Sequence, residues 1–351
     1  MVGNIRMFSQ QLINPMFDTP KDLVSWMGAI QAQDCVMSKW AVGIRLKSPS
    51  LQQVEKALES GEIIRTHILR PTWHMIAAED IRWMLKLTGK RIRSTCLSWG
   101  KQVGIDEKML LKSSSRLGKI LENGRHLSKQ EIGAELLLSE TISDKNVLNC
   151  LLSLAEVDGL ICNGTEKNKK HTYALMDERV PQGKDLHQDE MLAMLAQRYF
   201  RSHSPASLQD FVWWSGVSVT EAKHAIKLIE KELITDRFES EKLYLHTQWT
   251  GLLHADNIFH LLPPYDEYLI SYKERTHVLP KEYYRKAFNP YGIFYPVTLY
   301  NGRIVGNWKK ATRKNQLLIE TTLFDGQVKA NKKLITQAEE RYKYFTKNQK
   351  G

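Results

Sequence analysis

The sequence predicts a mainly α-helical chain with small β-hairpins, of the α+β class. Three observations lead to this prediction. Residues 113–175 read as three helical stretches followed by two short strands, and residues 189–247 repeat that order. Beyond Asn257 the pattern changes, because prolines break any helix and a hairpin follows. Three helices and a hairpin are the order of a winged helix-turn-helix, so we expect tandem winged-helix units plus a partly β C-terminal module.

The first unit is predicted over residues 1–110. Thr19 and Pro20 open a helix that is expected to run through Gln31, since a capping threonine followed by proline is typical of a helix start. Two more helices and two strands are expected at residues 39–46, 51–60, 63–69 and 73–77. An N-terminal version of the unit is therefore predicted as well.

The second unit, residues 111–185, is the most clearly marked. Ser128 and Glu131 form a capping box, and Gly159 ends the last helix. The turn from Gly164 to Lys170 is basic and is predicted to be a wing that touches phosphate. The helices and strands are expected at residues 113–122, 128–138, 144–158, 160–163 and 171–175.

The third unit is predicted over residues 186–256 and the C-terminal module over residues 257–351. The helices and strands of the third unit are expected at residues 189–201, 206–214, 220–232, 234–238 and 243–245. Trp213 and Trp214 are expected to pack in its core. In the last module, residues 295–310 should form a hairpin about Asn301 and Gly302, followed by an amphipathic basic helix over residues 331–346.

The charge of the chain indicates a polyanionic partner. Fifty Lys and Arg residues against 39 Asp and Glu give a net charge of +11. The excess is concentrated in residues 303–350, with twelve basic and four acidic residues, and in residues 82–125, with eleven and three. A basic surface attracts nucleic acid over a Debye length, although basic helix faces are also common on proteins without such partners.

Several classes of protein find no support in the sequence. The four cysteines lie far apart, which argues against a zinc site and a disulfide framework, so we expect no metal and no cofactor. Phosphate-loop, dinucleotide-loop, zinc-protease and Gly-x-Ser-x-Gly motifs are absent. No apolar run reaches the length of a membrane span, and the first residues do not form a secretory signal. A cytoplasmic, nucleoid-associated protein is expected.

Two amide side chains, Gln31 and Gln33, stand where the first apolar helix is expected to end. On a continuing helix, residues two apart lie about 200° apart, so the amides share a site only where the helix breaks. The alternative is that they cap the helix or bond to nearby backbone.

Four runs of sequence resemble the AlkZ/YcaQ family of bacterial winged-helix DNA glycosylases, over nearly the whole chain. They are Gln31-Ala32-Gln33-Asp34, Arg65-Thr66-His67-Ile68-Leu69-Arg70-Pro71-Thr72-Trp73-His74, Leu262-Pro263-Pro264-Tyr265-Asp266-Glu267-Tyr268-Leu269 and Asn301-Gly302-Arg303-Ile304-Val305-Gly306-Asn307-Trp308. Each run is short, but their shared order on a tandem winged-helix background is specific. One departure is Pro71, which occupies a glycine position of the family pattern.

The resemblance implies an enzyme that removes alkylated purines, in which a Q-x-Q pair lines the active site. It maps this catalytic pair onto Gln31 and Gln33. DNA contacts are expected at the first hairpin and at the basic C-terminal hairpin, from Arg70, Thr72, His74, Arg303, Lys309 and Lys310. Asp266 is a candidate for orienting water or stabilising the sugar cation, with a structural turn as the alternative. His67 and His74 are alternatively packed core histidines.

The chemistry of an amide limits the substrate. A glutamine cannot deprotonate water, but its carbonyl can hold a water molecule and its dipole can stabilise a developing cation. This suffices for a leaving group that is already cationic, such as a purine alkylated at N3 or N7. The sequence therefore predicts a monofunctional glycosylase that acts on these bases in duplex DNA as a monomer, with interstrand crosslinks as a further substrate left open.

Two other classes of function fit the same elements. A non-catalytic regulator would use the winged helices to read one DNA sequence, and an interaction scaffold would keep the fold without binding DNA. Release of a base from damaged DNA separates the enzyme from both. A lysine-based lyase step and base flipping are also left open by the sequence.

Overall fold

A computed structural model of the chain describes residues 1–137, 145–168, 170–238, 241–251, 254–313, 316–324 and 331–347. Its α-helices, within these ranges and in chain order, are α1 Val2–Ser9, α2 Pro20–Met27, α3 Cys35–Gly43, α4 Leu51–Ser60, α5 Ala78–Gln102, α6 Glu107–Leu121, α7 Lys129–Leu137, α8 Lys145–Val157, α9 Met176–Arg179, α10 Gln188–His203, α11 Leu208–Ser215, α12 Val219–Leu228, α13 Glu267–Ile270, α14 Tyr284–Ala287 and α15 Lys332–Lys347. None of these helices is long and apolar enough to cross a membrane.

The strands form small antiparallel sheets between the helices. They are β1 Ile30–Gln31, β2 Ile63–His67, β3 Trp73–Ala77, β4 Leu127–Ser128, β5 Ile161–Asn163, β6 Thr172–Leu175, β7 Leu233–Phe238, β8 Glu241–His246, β9 Phe259–Leu262, β10 Val297–Tyr300, β11 Arg303–Arg313 and β12 Gln316–Leu323. In the described residues the sheet orders are β1-β3-β2, β4-β6-β5, β7-β8 and β12-β11-β10-β9. The prediction of mainly helical structure with small hairpins is confirmed at this level.

The helix predicted to run through Gln31 is wrong at its C-terminal end. Thr19 caps α2 as expected, because its side chain accepts a hydrogen bond from the N–H of Asp22. The helix stops at Met27, where Gly28 takes a positive φ of 78° that residues with a Cβ rarely adopt. The chain then becomes extended and Gln31 lies in β1 rather than in a helix.

Other boundaries follow local capping chemistry. The first helix of the predicted second unit begins at Glu107 instead of residue 113, since Asp106 caps it through the N–H of Met109. Ser128 and Glu131 form the expected reciprocal hydrogen bonds. The predicted end at Leu138 and start at Asp144 of neighbouring helices lie outside the described residues, as does Lys169 in the predicted wing.

The largest hydrophobic core joins the two ends of the chain. The Tyr342 ring of α15 packs against Trp40 of α3 and Trp308 of β11, with centroids 5.1 and 5.0 Å away. Trp40 also donates its indole N–H to the carbonyl of Leu261 in β9 at 2.7 Å. This shared core fixes the C-terminal sheet against the first helices, and it brings α13 next to β1.

Candidate active site

The first candidate residue, Gln31, is positioned by a short strand at the edge of the first sheet. β1 pairs with β3 so that Gln31 lies opposite His74, and β3 pairs with β2 so that His74 lies opposite Thr66. Directly opposed residues of antiparallel strands point to the same face. The three side chains therefore share one face of the sheet.

Gln31 and Gln33 differ in exposure although they are two residues apart. Gln31 is buried, and its Oε1 lies 3.4 Å from the hydroxyl of Thr72, which donates to it. The pairing continues through Ala32, whose N–H donates to the carbonyl of Trp73 at 2.7 Å. Gln33 then leaves the sheet and is exposed. The chain is therefore not helical at this point, and the 200° separation that a continuing helix would impose on the two amides does not apply.

The residue that holds Gln31 from behind is Glu267, at the start of α13. Its Oε1 accepts a hydrogen bond from the N–H of Gln31 at 2.5 Å. Ser271 donates its hydroxyl to the other oxygen, and His203 Nε2 lies 3.4 Å from that oxygen. Burial acts to raise the pKa of Glu267, but the nearby His203 ring and the hydrogen bonds from Ser271 and Gln31 outweigh it and lower the pKa to about 2. Glu267 is thus a buried carboxylate that positions the backbone of Gln31.

A layer of buried polar groups surrounds this contact, and we call Gln31, Thr66, His74, His203 and Glu267 the buried polar layer. Burial, with the nearby charge of Arg70, lowers the pKa of His74 to about 3, so this histidine is neutral. Its Nδ1 lies 3.0 Å from the carbonyl of Thr72. Among the described residues, His74 Nε2 and Thr66 Oγ1 are buried without a hydrogen-bond partner. His74 is thus a buried residue opposite Gln31 in the sheet, and its contact with DNA stays a prediction.

The sequence pointed to Asp266 as a candidate site residue, but in the structure its neighbour Glu267 is the carboxylate that contacts Gln31. The carboxylate of Asp266 is buried and accepts two hydrogen bonds from Arg45, at 2.7 and 2.9 Å. Asp266 also caps α13 through the N–H of Tyr268. Asp266 is therefore held in a structural ion pair, which agrees with the alternative of a structural turn. Its neighbour Glu267 contacts residues 31–33, which we call the Q-x-Q segment.

The first hairpin carries Arg70 beside this layer. Its Nε and Nη2 are buried and have no hydrogen-bond partner among the described residues, and burial lowers its pKa. The guanidinium lies 5.6 Å from the ring centroid of Trp213. His67, which is on the other face of the sheet, pairs with Glu156 at 2.6 Å. Of the hairpin candidates, Arg70 and Thr72 border the Q-x-Q segment, whereas His67 does not.

Trp213 is a residue that sequence reasoning misassigned, because only one of the two adjacent tryptophans is core. Trp214 is fully buried, whereas Trp213 is 39% exposed and stacks between Arg70 and Arg275. Successive residues of a helix point about 100° apart, so α11 buries one ring and presents the other. A tryptophan pair on one short helix is thus a signal that one ring faces outward.

The C-terminal basic candidates lie in three different environments. The β10–β11 hairpin turns at Asn301 and Gly302 as predicted, both with positive φ. That turn packs against α1, since Tyr268 donates its hydroxyl to the carbonyl of Gly302 and to α1. Arg303 is exposed next to this turn. The hairpin tip at residues 301–302 is therefore occupied by contacts within the chain.

Lys309 and Lys310 follow on β11 and point to different surroundings. Lys309 is 72% exposed and pairs with Glu320 at 2.8 Å. The amine of Lys310 lies 3.2 Å from the hydroxyl of Tyr342 and 3.3 Å from Met37 Sδ. Lys309 is the freer of the two cations. In the described part of the chain, no cluster of three or more His, Cys, Asp or Glu side chains is arranged to hold a metal ion.

A family model described as DNA glycosylase AlkZ-like matches residues 24–345. The chain belongs to the AlkZ-like DNA glycosylase family. It is therefore an enzyme that releases bases from DNA, as the resemblance implied. Searching the curated proteins gives no match. Among solved structures, the chain is similar to the Streptomyces sahachiroi DNA glycosylase AlkZ, with a TM-score of 0.81 and 20% identity over 98% of this chain and 95% of that one. This AlkZ-like chain thus shares the fold of that protein along its whole length.

Proposed function

We propose that this glycosylase hydrolyses the N-glycosidic bond of purines alkylated at N3 or N7 in duplex DNA, and that Gln31 and Gln33 position the attacking water. One observation carries the proposal, namely that an exposed amide at Gln33 lies two residues after a buried amide at Gln31, which Glu267 and Thr72 hold in place. A site kept rigid from behind and open in front suits a water molecule held against a sugar.

The carboxylates near the segment support the choice of a cationic leaving group. Asp34 Oδ1 caps α3, Asp266 pairs with Arg45, and Glu267 accepts from Gln31 and Ser271. These groups are engaged in hydrogen bonds, so protonation of a neutral departing base has no evident donor among them. A purine that already carries a positive charge departs without such a donor, and an amide carbonyl then stabilises the developing oxocarbenium ion.

We further propose that the units suggested by the sequence are winged helices over residues 1–110, 111–185 and 186–256, followed by the module over residues 257–351. The helix and strand order in the second and third of these supports the assignment. Duplex DNA would contact Arg70, Thr72 and the basic strand β11, which bears Arg303, Lys309 and Lys310, as a complex with one copy of the chain. A cytoplasmic location on the nucleoid follows from that partner.

The experiment uses a duplex that carries one N7-methylguanine. Released base is measured by chromatography and abasic sites by alkaline cleavage, against spontaneous loss without protein. We expect wild-type release to fall about a hundredfold in Gln33→Ala, as for loss of one preorganised transition-state contact, with DNA affinity retained. Gln52→Ala, which changes an exposed glutamine on α4, is the matched control and should act like wild type.

Two outcomes would overturn the proposal. One is release by Gln33→Ala at the wild-type rate, which would leave the amide without a catalytic role. The other is removal of uracil from a matched duplex as fast as N7-methylguanine, since uracil leaves as a neutral base or an anion. A duplex with an N7–N7 guanine interstrand crosslink, separated on a denaturing gel, tests in the same series whether crosslinks are unhooked.

A further inference from the structure

A short loop of the C-terminal module exposes apolar side chains beside the Q-x-Q segment. We call residues 288–295 the tyrosine loop. Tyr291 is 91% exposed, the largest exposure of any large apolar side chain in the described residues, and Ile293 and Tyr295 are 44% and 36% exposed. Apolar groups gathered on one exposed loop are typical of a contact surface, since leaving them in water costs free energy.

The loop is held in one conformation. Phe288 and Phe294 form an antiparallel bridge at its base, and the N–H of Asn289 donates to the carbonyl of Ile293 at 2.9 Å. The side-chain oxygen of Asn289 accepts from the N–H of Tyr291 at 3.0 Å and of Ile293 at 3.1 Å. Gly292 supplies the positive φ, 80°, that closes the turn. These hydrogen bonds fix the backbone of the loop, and the Tyr291 side chain projects outward from it.

Packed aromatic rings anchor the base of the loop. The Arg275 guanidinium lies 5.0 and 5.3 Å from the ring centroids of Phe288 and Phe294, and 5.6 Å from that of Trp213. Phe294 also contacts Tyr265, with centroids 6.1 Å apart. These contacts join the loop to α11 and to the run that leads into α13.

The same contacts lead back to the candidate catalytic amides from two directions. On one side, Trp213 lies next to Arg70 of the first hairpin. Two residues after Arg70 comes Thr72, whose hydroxyl donates to Gln31. On the other side, Phe294 packs against Tyr265, which lies two residues before Glu267, the residue that accepts from the Gln31 N–H. The tyrosine loop is therefore joined to the residues that hold Gln31 in place.

We infer that Tyr291 stacks on a nucleobase beside the lesion when the chain holds duplex DNA. Aromatic rings stack on any base, and exposed wedges of this kind enter base steps in proteins that distort DNA. Arg285 and Lys286, which are exposed on α14 just before the loop, provide cations for the flanking phosphates. Such cations fit a nucleic acid better than a second copy of this basic chain. The inference rests on the proposed function, because it assigns a binding role at that same site.

The test uses a duplex in which a tetrahydrofuran abasic analogue stands next to 2-aminopurine. The abasic analogue carries no base, so the lesion position has no glycosidic bond to cleave. Stacking of Tyr291 on the 2-aminopurine should quench its fluorescence when the full chain is titrated at fixed salt. We expect Tyr291→Ala to abolish the quenching and weaken binding about tenfold, within the range of lost base stacking. Tyr291→Phe keeps the ring and should act like wild type. Tyr344→Ala, which removes a 59% exposed tyrosine from α15, is the matched control.

The outcomes separate this inference from the proposed function. Quenching that persists in Tyr291→Ala, with unchanged affinity, overturns the stacking role. A shift of oligomeric state in Tyr291→Ala by sedimentation, without loss of quenching, identifies the loop as a protein contact and also overturns it. Loss of quenching in Tyr291→Ala supports the inference even if the wild type releases no N7-methylguanine, a result that would count against the proposed function alone.

Discussion

The two sides of the Q-x-Q segment are built on opposite physical principles. Behind it, the buried polar layer is closed to solvent, with Glu267 fully buried and His74 neutral. In front of it, the side chains of Gln33 and Tyr291 are exposed. The difference teaches that the two sides should respond differently to substitution. Substitutions behind the segment should lower stability or catalysis, whereas substitutions in front should change catalysis or DNA binding at unchanged stability.

The largest expected effect lies behind the segment, at the ion pair of Arg45 with Asp266. Arg45→Met leaves the buried carboxylate of Asp266 without its cation, so the free energy of unfolding should fall by about 3–5 kcal/mol in urea titrations. The matched control is Lys47→Met, which removes a lysine that is 47% exposed and pairs with Asp18 at 2.7 Å. It should cost less than about 1 kcal/mol. Equal losses in the two variants would contradict the contrast between the two sides.

A second prediction concerns catalysis through Glu267. Glu267→Gln keeps the size of the side chain but removes the charge that strengthens the hydrogen bond from the Gln31 N–H. We expect the rate of base release to fall about tenfold, or about 1.4 kcal/mol, at unchanged DNA affinity. If Glu267 acts through Gln31, the double variant Gln31→Ala/Glu267→Gln should be no slower than Gln31→Ala alone. Fully additive losses would show that Glu267 has another role.

The sequence predicted the helices better than it predicted the site. Caps such as Ser128 and Thr19 act within a few residues, so the helix starts they define are visible in the sequence. The edge strand β1 was missed because only two residues of it pair, and the pairing partner is more than forty residues away. Short strands of this kind depend on tertiary contacts that local pattern does not contain.

The choice between Asp266 and Glu267 shows the same limit. Both follow Pro263, Pro264 and Tyr265, and nothing local distinguishes their carboxylates. The contact of Glu267 with Gln31 spans 236 residues and depends on the core that joins the two ends of the chain. The proposal for Gln31 and Gln33 came from the family motif, because a motif carries information about a site that residue types alone do not.

The third prediction is a loss of stability in mild acid. Burial lowers the pKa of both His74 and His260 to about 3, against an ordinary value of 6.5. As pH falls below 6.5, the unfolded chain gains protons that the folded chain does not bind until about pH 3, so stability falls by up to about 1.4 kcal/mol per pH unit for each histidine. The lowered pKa of Glu267 acts in the same direction between pH 4.5 and 2.

Urea titrations at about pH 7, 6 and 5 measure this slope. His74→Gln should reduce the change of the free energy of unfolding with pH by the contribution of one histidine. His254→Gln, at a histidine that is 62% exposed, should leave it unchanged. A slope that is the same in wild type and His74→Gln would indicate that His74 takes up a proton in the folded chain.

The smallest expected effect is on the exposed surface of the chain, at the basic strand β11. Lys309 is exposed and its pairing with Glu320 is open to solvent, so it is free to exchange that partner for a phosphate. Lys309→Ala should reduce the slope of log affinity against log salt by about one and weaken binding equally for all sequences, with no change in unfolding. Lys310→Ala should reduce that slope less, because the Lys310 amine lies between Tyr342 and Met37. If Lys310→Ala lowered the slope more than Lys309→Ala, the amine of Lys310 would have to leave those contacts on binding, and the core at α15 would be part of the DNA surface.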